Sequence, residues 1–298
     1  MELCYKAASE DAKKPLSLFL REQGISASFI KSVKYGRGFF VDGEPVHTNC
    51  RLQPGQTVSF TLPPEPPTTV QPEENIGLDI VYEDDFVLAL NKPAGIAVHP
   101  TFNYPGGTLA NAWVAELQRR GESGVFRPVN RIDKDTSGLV LCAKNAFAAP
   151  MLAQTAEKRY YAIVQGELPL GPGVIDAPIG RKGESIIGRC VCAGGKPSRT
   201  EYRVLAAGAG HSLVRCRPVT GRTHQIRVHF AYLEHPLAGD ALYGGSREKM
   251  PRQALHCARM EFVHPVSRKP MRLECPLPPD FWHLLAEMEV DAGTMEHL

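Results

Sequence analysis

The sequence predicts an α+β fold in two parts, on three observations. Strand-like runs cluster together with only two helical patterns between them and no regular βαβ rhythm, which argues against a doubly wound sheet. Residues 62–75, LPPEPPTTVQPEEN, hold five prolines and no apolar periodicity, so they exclude a helix or a central strand. The length of 298 residues independently suggests about two domains. The divisions are a small N-terminal α+β module over residues 1–62, a Pro-rich linker over 63–75 and a larger domain over 76–290.

In chain order, Leu16, Phe19 and Leu20, then Ile30 and Val33, mark the apolar stripes of two short helices separated by residues 24–28. Residues 38–46 form a hairpin pattern around an Asp42-Gly43 turn, and residues 56–60 alternate polar and apolar as a strand. Beyond the linker, strands are expected over 79–82, 87–91, 138–143, 160–165, 200–206 and 212–218. Helices are expected over 109–118 and 146–157. In the segment from Pro218 to Gly245, Gly221 permits a tight turn, Thr223 is read as an N-cap, and Ile226, Phe230 and Leu233 form the buried stripe of a further helix.

Composition excludes several classes of protein. At 43% hydrophobic and 22% charged residues, the chain can build a core and is not broadly disordered. Apolar runs break within a few residues, far short of the roughly 20 that a membrane span needs, and residues 1–14 lack a signal-peptide apolar region. The eight cysteines are scattered, with no CxxC, and Cys190 and Cys192 have no nearby partner set, so reduced cytoplasmic thiols are expected rather than a zinc site. The net charge of +2 says little, but between Arg181 and Arg227 ten basic residues face only Glu184 and Glu201. Such a stretch fits either a solvated face or the electrostatic footprint of a nucleic-acid site.

Two polar segments stand out. Residues 127–141, RPVNRIDKDTSGLVL, run from a polar knot straight into an apolar strand. If residues 129–133 are extended, Arg131 and Asp133 share a face and can form an ion pair that favours the carboxylate. In the second segment His224 and Arg227 stand at i and i+3 on one helical face. His224 and His229 could suggest a metal, but no acidic or thiol third ligand lies within a turn, so no metal is assigned.

Together these segments resemble the RluA-type RNA pseudouridine synthases. The family's His-Arg-Leu-Asp-x-x-Thr-Ser-Gly string stands here as Asn130 to Gly138, with Asn130 for histidine and Ile132 for leucine. Its Lys-x-Tyr-x-Ala-x-Val-x-Gly is present at Lys158, Tyr160, Ala162, Val164 and Gly166, and its Gly-Arg-Thr-His-Gln-Ile-Arg is intact at Gly221 to Arg227. Asn91-Lys92-Pro93-Ala94-Gly95, Val98-His99-Pro100 and Leu255-His256-Cys257-Ala258 extend the match over about residues 78–281. Residues 13–62 resemble the S4 RNA-binding fold, with Ser28-Phe29 where that family usually has Ser-Arg.

The resemblance implies a pseudouridine synthase fold with a mixed, mainly antiparallel central sheet, and a cofactor-free enzyme that isomerises specific uridines in structured RNA. Ribosomal RNA is favoured and transfer RNA is the alternative substrate; a cytoplasmic monomer is expected. It assigns catalysis to Asp133, with Tyr160 packing on the base and Arg227 as the partner of the carboxylate. Arg131, Thr136, Ser137, Arg222, Thr223, His224 and Gln225 are assigned to substrate binding. Asn130 lacks the donor or cation that histidine would offer beside the RNA, which bears on positioning or substrate range more than on the chemistry. A binding protein with lapsed catalysis is the rival reading, against which Asp133, Tyr160 and Arg227 stand intact. A metal-dependent nuclease would need clustered acidic ligands that the basic segment lacks.

Overall fold

The computed structural model describes residues 1–36, 38–102 and 104–290. Its N-terminal part comprises β1 (Glu2–Lys6), α1 (Leu16–Glu22), α2 (Ala27–Tyr35), β2 (Phe39–Val41), β3 (Glu44–Val46) and β4 (Thr57–Thr61). The strands form one antiparallel sheet in the order β1-β4-β2-β3. Both helices bury the anticipated stripes against Phe39, Val58 and Phe60. Ser26 caps α2 by accepting the Phe29 N–H. At the hairpin, Asp42 and Gly43 both have positive φ, 51° and 85°, the backbone a two-residue primed turn requires. Strand β1 was not anticipated, although Leu3 and Tyr5 already alternate with polar neighbours.

The proline-rich stretch contains no regular element, yet it is tied down. Gln71 O accepts from Asn111 Nδ2 at 2.8 Å, and the Glu73 carboxylate accepts the Gly107 N–H. Glu65 accepts the Ala146 N–H and pairs with Arg127. Phe147 of the larger part packs edge-on against Phe29 at a 5.5 Å ring separation, with Phe60 at 6.3 Å, so the aromatic core continues from one part into the other.

The larger part holds β5 (Ile80–Glu83), β6 (Val87–Lys92), α3 (Leu109–Arg119), β7 (Arg127–Pro128), β8 (Ser137–Ala143), α4 (Ala148–Thr155) and β9 (Glu157–Gln165). It continues through β10 (Gly171–Asp176), β11 (Ile179–Arg181), β12 (Arg189–Val191), β13 (Arg199–Gly208), β14 (His211–Pro218) and α5 (Gln225–Tyr232). It ends with β15 (Leu255–Val263), β16 (Pro270–Glu274) and α6 (Pro279–Glu287). Ten strands make one sheet along the path β10-β13-β14-β9-β15-β8-β6-β5, with β16 on β15 and β7 on β8. Among the described strand pairs only β15 and β8 run parallel, so the sheet is mixed and mainly antiparallel as anticipated.

Gly138 makes that parallel contact. Its φ is +106°, and a Cβ there would lie 2.3 Å from Cys257 O, so a side chain at this position would force β8 and β15 apart. Alternation along β9 divides two tyrosines. Tyr160 joins the main core, while Tyr161 packs in a second cluster with Leu213, Phe281 and Leu284 on the other face.

The basic stretch from Arg181 to Arg227 is partly a solvated, paired face. Arg199 bonds Asp176 at 3.1 Å, and Arg217 reaches Glu157 at 3.0 Å and Glu201 at 3.2 Å. No helix is long and apolar enough to cross a membrane among the described residues.

Candidate active site

A cleft of about 1000 Å³ opens where residues 97–101 and 104, 128–134 and 136, and 218 and 220–227 converge, with Lys158, Tyr160 and Leu255 also lining it. Asp133 lies in the loop between β7 and β8, and that loop is fastened at several points. Asn130 is buried and uses both ends of its amide on β8: Nδ2 donates to Leu139 O at 3.0 Å and Oδ1 accepts the Leu141 N–H at 2.8 Å. Lys134 O accepts from Lys92 Nζ at 2.8 Å and from the Gly95 N–H at 3.0 Å. Arg252 Nη1 donates to Asp135 O, and the Thr136 N–H closes a turn on Asp133 O.

Lys92 is fully buried and donates to three carbonyls, those of Pro93, Ile96 and Lys134. Burial is the main force on its ammonium. It pulls the pKa down to about 7, against the opposing charges of Asp135 and Asp133 and with the help of Arg252.

The Asp133 carboxylate, partly open to the cleft, accepts from Arg227 Nη1 at 2.7 Å, and His224 Nε2 is 3.8 Å away. The Nε and Nη2 edge of Arg227 forks onto Asp240 at 2.7 Å for each bond. Burial opposes the charged guanidinium, but its bonds to Asp240 and the nearby charge of Asp133 hold its pKa above the ordinary arginine value. The Tyr243 ring lies 5.0 Å from the guanidinium, and its hydroxyl is 2.7 Å from His224 Nδ1. Burial lowers the His224 pKa, Asp133 opposes this, and Arg227 adds to it.

Several expectations need correcting. Residues 129 and 130 bend and 131–133 form no strand, Arg131 is exposed, and Asp133 pairs not with Arg131 but with Arg227, the partner the resemblance implies. Thr223 does not cap α5. His224 occupies the N-cap in the left-handed region (φ 57°), and the Gln225 side chain organises the preceding turn by accepting from the Arg222 N–H and Thr220 Oγ1. Gln225 Nε2 donates to Arg199 O and Thr200 Oγ1, so its amide is spent inside the protein. Ser137 faces away from the cleft, bonded to His256 Nδ1 at 2.9 Å and to Arg252. Asn130 lines the cleft but is almost fully buried, and its amide is spent on β8, so it holds the base of the aspartate loop. His229 uses both nitrogens on Thr200 Oγ1 and Ala177 O.

Of the remaining assigned residues, Thr136 and Tyr160 are buried in the cleft wall, Ile132 is buried as leucine would be, and Arg222 and Thr223 stand exposed at the rim. Burial raises the Tyr160 phenol well above the usual tyrosine pKa, so it is protonated at working pH. The residues sequence reasoning overlooked are Lys92, Asp240 and Tyr243. Asp240 is 13 positions from Arg227 in sequence, and only the fold, through the helical turn Ala241–Tyr243, brings it and Tyr243 beside α5. The arrangement offers an accessible carboxylate in a cation's grip, an aromatic wall, and rim groups able to hold a polar substrate.

The family model described as RNA pseudouridylate synthase matches residues 86–232. A Bacillus subtilis protein named as an uncharacterized RNA pseudouridine synthase, YjbO, is 38% identical over 270 residues, covering 89% of this chain and 95% of the relative. The ribosomal large subunit pseudouridine synthase D of Xanthomonas campestris is 37% identical over 281 residues, covering 87% of this chain and 83% of the relative. Among solved structures, human RNA pseudouridylate synthase domain containing 1 superposes with a TM-score of 0.56 at 29% identity, over 72% of this chain and 86% of the human one. With relatives at this identity aligned over nearly their whole length, the chain belongs to the RluA-type family of RNA pseudouridine synthases, and it is an isomerase.

Proposed function

We propose that the enzyme converts uridines of large-subunit ribosomal RNA to pseudouridine, with Asp133 as the catalytic carboxylate. The observation that carries this is the place of Asp133: partly open on the cleft wall, one oxygen held by Arg227 and the other without a protein partner among the described residues. The ribosomal target is supported by relatives that are named for that RNA. Isomerisation breaks the bond from the sugar C1′ to N1 of the base and forms one to C5. N1 gains a proton and C5 loses one, so no oxidant, reductant or second substrate is consumed. The free carboxylate oxygen of Asp133 attacks the sugar or base, or removes a sugar proton; both routes need the charge, and both need the uridine flipped from its stack.

Arg131, exposed at the cleft, is the group for the nucleotide's phosphate, and Arg222, Thr223 and His224 line the path on the opposite side. Thr136 and Tyr160 form the wall against which the base packs. Residues 1–62 act as an S4-like RNA-binding module, joined through 63–75 to a catalytic domain over 76–290, and the enzyme works as a cytoplasmic monomer.

Large-subunit ribosomal RNA transcribed with [5-³H]uridine tests the proposal, because each conversion releases the C5 tritium. Wild-type protein should release it and Asp133→Asn should bind the RNA without release. Turnover by D133N near the wild-type rate would overturn the assignment of Asp133. Release from labelled transfer RNA alone would overturn the ribosomal target.

A further inference from the structure

A guanidinium carries five N–H groups in a rigid plane, and its Nε/Nη2 edge matches a carboxylate or a phosphodiester equally well. Arg227 is set in a cleft built for a polyanion, where an arginine free to turn would find phosphate its strongest competitor for Asp133. Asp240 closes that option. Its side chain is 1% exposed and both oxygens sit 2.7 Å from the Nε/Nη2 edge, which leaves Nη1 to Asp133. The helical turn Ala241–Tyr243 fixes Asp240 from behind, with the Asp240 N–H on Leu237 O and the Gly245 N–H on Asp240 O. The Tyr243 ring covers the guanidinium at 5.0 Å. Two carboxylates on one cation also leave the trio net negative, which disfavours a phosphate at that spot.

We propose that Asp240 is a positioning residue that dedicates Arg227 to Asp133 and withholds its guanidinium from the phosphates of bound RNA. Packing alone would not require this: an amide has nearly the same shape, but it gives up the charge and one of the two acceptors that hold the fork. With Asp240→Asn the guanidinium can turn to a phosphate, so RNA binding should hold or tighten while chemistry slows.

The inference rests on the reading of Asp133 as the catalytic group, and D133N measured alongside keeps the two apart. Using the labelled large-subunit ribosomal RNA, single-turnover tritium release is measured at saturating enzyme, and RNA affinity is followed against salt. D240N should bind at least as tightly as wild type and release tritium at least tenfold more slowly. Its log-affinity should fall more steeply with log salt by about 0.7 to 0.9, the increment of one added phosphate contact. Asp240→Glu keeps the charge but displaces it by one methylene, so it should slow release with the wild-type salt slope, and it serves as the test if D240N does not fold. Wild-type single-turnover rates in either variant, or slow release by D240N with an unchanged salt slope, would sink the inference. If D133N itself turns over, the underlying reading fails instead.

Discussion

Asn130 Oδ1 accepts the backbone N–H of Leu141 at 2.8 Å, eleven positions further along the chain, while its Nδ2 donates to Leu139 O. The asparagine therefore replaces two rungs that the ladder of β8 lacks where the aspartate loop leaves it. Asn130→Ala would strand a buried N–H and a buried carbonyl, at a cost of about 1–3 kcal/mol for each group left unpaired. Urea denaturation should show that loss, and tritium release should slow because the base of the Asp133 loop is loosened. Unchanged stability in N130A would mean that the loop is held elsewhere.

Arg227 and Arg131 should separate cleanly. Arg227 is buried against two carboxylates, whereas Arg131 is exposed and touches neither. Arg227→Met should abolish conversion even at saturating enzyme, and Arg131→Met should be largely rescued by saturation because only nucleotide holding is lost. Equal recovery of both would count against Arg227 as the partner that matters.

Lys92 has a pH signature. Its folded pKa is near 7, while an unfolded lysine titrates near 10.4. Across that window the unfolded chain holds a proton the folded chain has released, so this residue's contribution to stability rises with pH, by up to about 1.4 kcal/mol per unit. Below pH 7 the burial penalty is fully present; above about 10 it is gone. Urea unfolding of wild type and Lys92→Met at pH 7, 8 and 9 should show the gap between them widening in favour of wild type. A constant or shrinking gap would show that Lys92 stays charged throughout.

The N-terminal part should be separable only at a cost. Removing residues 1–62 uncovers Phe147, which now packs on Phe29 and Phe60, and exposing one phenylalanine costs about 1.5–3 kcal/mol. Removing residues 1–72 also discards the bonds of Glu65 and Gln71 to Arg127, Ala146 and Asn111. Both truncations should keep conversion at saturating RNA with weaker binding, and the longer deletion should melt at the lower temperature. Identical melting would mean that the linker contacts contribute nothing.

What was legible in the sequence was local. The stripes of α1 and α2, the Asp42-Gly43 turn and the alternation of β9 depend on neighbours within a few residues, and all were read correctly. Strands β15 and β16 were not recognised as a pair. The first half of β15 is buried on both faces between β8 and β9, so it does not alternate, and its parallel partner Ser137 is 119 positions from His256. The site divides in the same way. Asp133 and Arg227 stood out through motifs, whereas the structural use of Asn130 did not, because its partners Leu139 and Leu141 lie nine and eleven positions further along the chain. Asp240 was invisible because it stands 13 positions from Arg227, and the sequence does not show that the two meet or which edge of the guanidinium the carboxylate takes.

Tyr160 and Tyr161 give the sharpest test of which face of β9 does chemistry. Tyr160 lines the cleft; Tyr161 lies behind the sheet in the cluster with Phe281, beside a small cavity edged by Arg159 and Arg215. Because burial keeps the Tyr160 phenol protonated beyond the ordinary tyrosine range, it does not serve as a ready phenolate base. It can still relay the proton lost from C5, giving up its own through water as it accepts another. Tyr160→Phe keeps the stacking face and removes the relay, so RNA should bind normally while tritium release slows. Tyr160→Ala removes both and should fail in binding and release, and Tyr161→Phe should be nearly silent. The wild-type pH–rate profile should show no limb from this phenol below pH 10. A fully active Tyr160→Phe would reduce the residue to a packing wall, and an inactive Tyr161→Phe would place the chemistry on the other face of the strand.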